Sequence, residues 1–198
     1  MKKRPLLFIL ALFLLNPSGY SQTSDNYGQT LNVGLGIGYY GLGGHSGPAL
    51  NINYEFDLHR NFTLVPFIGF YSYSDYVYWG DPNYPFRNYA YRETFIPAGV
   101  KLAYYFDKVL HAPPGWNFYA ALSGGFVFRF VYWAGDYYGD KSMPYSPGPL
   151  YLNLHAGARY GLTSQWGVFL DLSTGVSSIG MSYHFNGANT ASERGLHK

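Results

Sequence analysis

The chain has no cysteine, and only 12% of its 198 residues are charged. Without cysteine there is neither a disulfide framework nor the thiol that a lipoprotein anchor needs. So little charge excludes an ordinary water-facing surface, which draws on about twice that fraction. Long apolar runs are scarce too. The run from Leu6 to Leu15 is too short for a membrane-spanning helix, which needs roughly 20 residues, and no later stretch approaches that length or sustains a helical period.

What the chain has in quantity is rings and glycine: 21% of residues are aromatic and 25 are glycine. Its start, MKKRPLLFILALFLLNPSGYSQ, joins a basic end (Lys2, Lys3, Arg4) to the apolar run and then to the small residues Gly19 and Ser21. That order is the pattern of a secretory signal peptide, expected to span 1–21 and to be cleaved after Ser21. Its loss takes three of the 13 Lys and Arg, leaving ten against 11 Asp and Glu, so the formal charge of +2 becomes −1. The mature chain therefore has no basic excess for nucleic acid or for an electrostatically held membrane surface.

Beyond the leader the apolar residues recur with a period of two, which predicts strands. Leu31, Val33, Leu35, Ile37 and Tyr39 alternate with Asn32, Gly34, Gly36 and Gly38 in a first strand from Leu31 to Tyr40. Leu50, Ile52, Tyr54 and Phe56 oppose Asn51, Asn53 and Glu55 in a second. A third runs from Phe62 to about Ser74, with both parities apolar and its facing open. The fourth sets Ile96, Ala98, Val100, Leu102, Tyr104 and Phe106 against Glu93, Phe95, Gly99, Lys101 and Ala103. The fifth, from Trp116 to about Tyr132, sets Phe118, Ala120, Leu122, Phe126 and Phe128 against Asn117, Ser123, Gly125 and Arg129. PLYLNLHAGARYGL is the sixth, Trp166 to Leu172 the seventh and Ile179 to Phe185 the eighth. Short links follow strands two and six, and two longer ones run from about Tyr76 to Arg92 and from Ala134 to Gly148.

Eight strands read as an up-and-down barrel, and the polar parities decide which way it faces. The full charges on them are Glu55, Glu93, Lys101, Arg129, Arg159 and Asp171. Turned outward, these faces would make a thin, glycine-rich surface, while Leu, Ile and large rings would overfill a narrow eight-stranded interior. Turned inward, glycines and small polar groups fit the lumen, and the rings meet lipid. On this reading Leu152 and Leu154 face hydrocarbon, whereas His155 and Arg159 face the lumen. Strands two, four, six and eight end in YEF, YYF, ARY and YHF, and the next strands begin near Phe62, Trp116 and Trp166. Phe56, Phe106, Trp116, Tyr160, Trp166 and Phe185 are thus expected to form an interfacial aromatic girdle.

The exported start, the strand IPAGVKLAYYF and the final IGMSYHF resemble the small eight-stranded bacterial outer-membrane β-barrel family over essentially the whole mature chain. The resemblance implies an all-β, transmembrane, antiparallel up-and-down barrel over 22–185, seated in outer-membrane lipid. It also implies that the outer-membrane assembly machinery reads the last aromatic, here Phe185, which is followed by a polar tail, 186–198.

The six lumen charges balance and are expected to pair, because a desolvated charge costs several kcal/mol alone. The alternative for them is a narrow conducting path. Some barrels of this kind process lipid with a His, a Ser and an acid on the outer wall, but no such set stands out here. His45 and Ser46 are neighbours in a glycine-rich loop, His155 and His184 take lumen parity, and His59, His111 and His197 fall in turns or tail. These histidines are expected to be neutral and hydrogen-bonded or solvated. No cofactor is called for, and Asp136 with Asp140 gives too few ligands for a calcium site. The glycines of GLGIGYYGLGG precede no helix, which separates them from a phosphate loop.

SDYVYWGDPNYPFRNYAYRE and AGDYYGDKSMPYSPGP mix Tyr, Trp, Gly, Asp, Asn and Pro as binding loops do. Tyr76, Tyr78, Trp79, Tyr84, Tyr137 and Tyr138 are the candidate contacts for a glycan or partner protein; otherwise they extend the hairpins and clamp against one another. The expected function is a non-enzymatic outer-membrane barrel serving envelope structure or surface recognition. A lipid-modifying barrel enzyme and a soluble secreted ligand-binding barrel are the alternatives.

Overall fold

The computed structural model describes residues 27–39, 46–141 and 148–185. The expected signal peptide, the tail, Tyr40, His45 and His197 lie outside the described residues. Eight strands close into an antiparallel barrel in chain order: β1 (Thr30–Tyr39), β2 (Ser46–His59), β3 (Phe62–Asp81), β4 (Tyr84–Tyr105), β5 (Trp116–Trp133), β6 (Leu150–Gly161), β7 (Trp166–Ser173) and β8 (Val176–His184). β1 pairs with β8 from Thr30↔His184 to Gly38↔Val176, so the sheet has no free edge around the wall. β1 begins and β8 ends at one rim, which we call the lower one. A single turn of helix, α1 (Asp107–Leu110), sits in the lower link between β4 and β5.

The barrel is inside out. Leu35, Ile37, Ile68, Val100, Leu122, Phe126, Leu152, Leu154, Leu172 and Ile179 are all exposed on its outer wall, Leu152 to 70%. Soluble proteins rarely leave a contiguous apolar patch of more than a few hundred Å². A belt of this kind around a closed, hydrogen-bonded wall is instead the surface that a bilayer requires. No helix among the described residues is long and apolar enough to cross a membrane.

The strand with two apolar parities, β3, resolves by burial. Thr63, Val65 and Tyr71 are fully buried inside, while Leu64, Ile68 and Phe70 are exposed outside. Its inner residues are apolar because two plugs of rings and small side chains fill the lumen. The lower plug joins Tyr27, Val65, Ala103, Tyr105, Tyr119 and Ala121; the upper joins Ala49, Tyr71, Phe95, Val127, Tyr151 and Val176. Glycines make room for the rings. A Cβ at Gly38 would stand 2.5 Å from the Tyr71 ring, and one at Gly157 would collide with Tyr119. The GLGIGYY glycines are therefore lumen spacers, as their alternation suggested.

One expected link is not a loop. Residues from Tyr76 to Arg92 continue β3 and β4 as a paired hairpin, with Tyr76↔Ala90, Tyr78↔Asn88 and Trp79↔Arg87 in register. It closes at Asp81-Pro82-Asn83-Tyr84, where the Asp81 carboxylate accepts from the Asn83 and Tyr84 amides at 2.7 and 3.0 Å. Proline at the second turn position and an Asx cap at the first are a tight-turn signal. The hairpin stands above the apolar belt, on the rim opposite the start of β1 and the end of β8.

Candidate functional site

The lumen charges meet as three separate pairs rather than one continuous network. Lowest, Arg159 lies 3.5 Å from Glu55. The Tyr105 hydroxyl donates to Glu55 at 2.6 Å and accepts from Arg159 at 2.8 Å, while Asn32 donates to the other Glu55 oxygen at 2.8 Å. Both carboxylate oxygens are thus satisfied at a site from which water is nearly excluded. Near the top, Arg129 grips Glu93 with two parallel bonds of 2.8 and 2.9 Å. Glu93 is almost completely buried, so Arg129→Ala would strand its charge. The expected cost is about 3 kcal/mol in denaturant unfolding, with Arg129→Lys losing less because it keeps the charge but not the fork.

Between these pairs lies a linked cluster of four side chains. Lys101 on β4 donates to Asp171 on β7 at 2.6 Å. The other Asp171 oxygen meets His155 Nδ1 at 2.9 Å, and His155 Nε2 meets Ser123 Oγ at 2.9 Å. Sequence parity placed His155 in the lumen but did not link it to the charges. The signal available was its inward position on β6, which the β5–β6 and β6–β7 registers bring beside Ser123 and Asp171.

Serine, imidazole and carboxylate in that order are the relay of an acyl-transfer site. The surroundings differ from those of such a site. Ser123 has no exposed surface, and the cavity beside His155 and Lys101 is only about 10 Å³, the scale of a single water. The ring plugs lie on either side of it. The backbone amides of Ser123 and its neighbours belong to the β4–β5–β6 ladder, which occupies the donors that an oxyanion would need.

At the upper rim the aromatic candidates divide. Trp79 and Tyr137 meet edge to face at 5.4 Å, Trp133 stacks on Tyr137 at 4.5 Å, and Tyr84 stacks on Tyr138 at 4.6 Å. The segment after β5 is therefore folded back onto the β3–β4 hairpin, and Arg87 pairs with Asp136 across the same junction. Tyr137 is buried there and its hydroxyl donates to the Asp140 carbonyl at 2.8 Å. Burial, and then the Asp140 charge, push this phenol above its ordinary value, which keeps the donating proton in place. Tyr76, Tyr78 and Phe86 remain exposed on the outer face of the hairpin, and Tyr138 is exposed against Tyr84. Residues 142–147 of the second aromatic stretch lie outside the described residues.

At the lower rim, rings pack in a nearly unbroken row. Trp116 meets Phe118 and Tyr160, Trp166 meets Tyr183, Tyr183 meets Phe185, and Phe185 meets Tyr54, which touches Phe56. Phe62 and Tyr104 extend the row onto β3 and β4. Phe106 stands just outside β4, at the start of α1. His184 takes its lumen position 2.9 Å from Thr30 Oγ1. No group of three or more potential metal ligands occurs among the described residues, and Asp136 is engaged by Arg87.

No family model and no curated protein matches the sequence. Among solved structures, a de novo designed transmembrane β-barrel is similar over 80% of this chain and 97% of its own, at 13% identity and a TM-score of 0.41. The Yersinia pestis outer membrane protein Ail in a phospholipid bilayer nanodisc is similar over 80% and 99%, at 9% identity and a TM-score of 0.42. A crystal structure of Ail, the attachment invasion locus protein of Yersinia pestis, is similar over 79% and 98%, at 8% identity and a TM-score of 0.40. The inside-out facing stands on the exposed apolar belt and the closed wall. The architecture is that of a small eight-stranded transmembrane barrel.

Proposed function

We propose that this chain is a non-enzymatic barrel of a bacterial outer membrane, exported by its N-terminal leader, which presents the β3–β4 hairpin as a recognition surface. The carrying observation is the hairpin itself. It is paired to its tip, braced from inside by Trp79, Tyr89 and Tyr137, and leaves Tyr76, Tyr78 and Phe86 uncovered on its outer face. Rings held this way offer contact area with little entropy left to lose, which suits a glycan or a partner protein. The plugged lumen supports a role outside the barrel, since it offers a solute no wide path.

The test is a glycan-array and pull-down comparison of the refolded chain with a Tyr76→Ser, Tyr78→Ser, Phe86→Ser variant that keeps its heat-dependent gel mobility. Ligands bound by the parent are expected to be lost by the variant. Equal binding, or none by either, would leave envelope structure as the role.

The Ser123, His155 and Asp171 relay favours a second reading, a barrel enzyme acting on membrane lipid. A fluorophosphonate probe separates the two. The sealed lumen predicts no labelling of the folded chain, whereas covalent labelling of Ser123 that His155→Ala abolishes would establish the enzyme.

A further inference from the structure

The outer wall carries one polar interruption with a shape of its own. Ser74, Arg92 and Tyr132 form a row across β3, β4 and β5 by register, with Ser72, Thr94 and Phe130 in the row beneath. Below that, Phe70, Phe126 and Phe128 are exposed apolar wall. The polar rows border a groove of about 470 Å³ whose lining also includes Tyr91 and Trp133. Arg92 is exposed, and its guanidinium touches Ser74 Oγ at 3.4 Å. Among the described residues no carboxylate pairs with it. The adjacent acids are engaged elsewhere: Glu93 faces inward to Arg129, and Asp75 accepts from the Tyr76 amide.

The height of this row is informative. From Tyr104 in the lower ring row, β4 climbs about twelve residues to Arg92, which at about 3.3 Å each and a tilt of about 45° rises roughly 28 Å. That is close to the hydrocarbon thickness of a bilayer. If the lower rings mark one interface, Arg92 stands at the other, at the depth of lipid phosphates. An unpaired guanidinium flanked by hydroxyls and rings at that depth matches a phosphate in charge and in hydrogen-bond geometry.

We propose that this groove binds the phosphate of a glycolipid in the outer leaflet, with Arg92 as its main ligand and Ser74 and Thr94 beside it. The proposal rests on the membrane reading above and names one lipid contact within it. The chain carries the site on a wall that already touches lipid, so the ligand arrives by lateral diffusion and needs no passage through the lumen.

The test refolds the full mature chain into phosphatidylcholine vesicles containing either phosphorylated or enzymatically dephosphorylated lipid A, then measures retained lipid by native mass spectrometry. Phosphorylated lipid A is expected to be held about tenfold better. Arg92→Gln should erase the difference and Arg92→Lys keep part of it; each variant is checked for folded gel mobility. Equal retention of the two lipids by the parent chain overturns the proposal without needing any variant. So does an unchanged preference in folded Arg92→Gln, or binding of inorganic phosphate in detergent as tight as that of the lipid. A chain that never enters the vesicles overturns the membrane reading and this proposal together.

Discussion

Replacing Asp171 with alanine is expected to cost the barrel about 3 to 5 kcal/mol, the range for removing one partner of a buried ion pair. Asp171 is 1% exposed and serves two partners at once, Lys101 at 2.6 Å and His155 at 2.9 Å. Its loss leaves a buried ammonium with no counter-charge, in a lumen whose adjoining cavity is of water size. His155 then keeps only Ser123. The measurement is urea unfolding of the vesicle-bound barrel. The double variant Lys101→Met, Asp171→Leu should recover most of the loss, because exchanging the whole pair for apolar groups of similar volume avoids stranding either charge. An Asp171→Ala barrel as stable as the parent would mean that water reaches Lys101 and that the lumen is open. His155→Gln is expected to be much milder, since the amide retains both a donor and an acceptor.

The contrast between these residues shows what was legible beforehand. Wherever one parity was polar, as in β1, β2 and β6, alternation gave the facing directly, because a period of two assigns every side chain once the wall is oriented. The lumen position of all six charges followed from that. Their partners did not, since Lys101 meets Asp171 through the stagger of nonadjacent strands across the lumen, and stagger leaves no mark in any single strand. β3 was illegible for a different reason. Its inner face carries Val65, Phe67, Tyr71 and Tyr73, because the lumen is plugged with rings, and alternation disappears when both sides are apolar. The same loss of contrast hid the hairpin from Tyr76 to Arg92, where rings stand on both faces. The turn at Asp81-Pro82-Asn83-Tyr84 was the remaining signal, with the Asp81 side chain closing it.

Leu154→Arg is expected to destabilise the barrel by roughly 2 to 4 kcal/mol and to slow its insertion, the cost of a guanidinium on the lipid face near the bilayer midplane. Leu154 is 64% exposed and registers with Leu122, which is also exposed, so both neighbours in this row face outward. It lies six residues before Tyr160 of the lower ring row. At about 3.3 Å a residue and a tilt of about 45°, that places it roughly 14 Å from the interface, near the middle of the belt. A soluble barrel would treat an exposed Leu154→Arg as harmless or even helpful, so here stability alone distinguishes the two environments. Cysteine substitution adds the direct test. A label confined to the bilayer should reach Leu154→Cys and leave His155→Cys unmodified, because the latter side chain points to Asp171 and Ser123. Labelling only at His155→Cys, or a Leu154→Arg chain that folds and inserts like the parent, would turn the wall around. In that case the exposed leucines, not the lumen charges, would need a different partner.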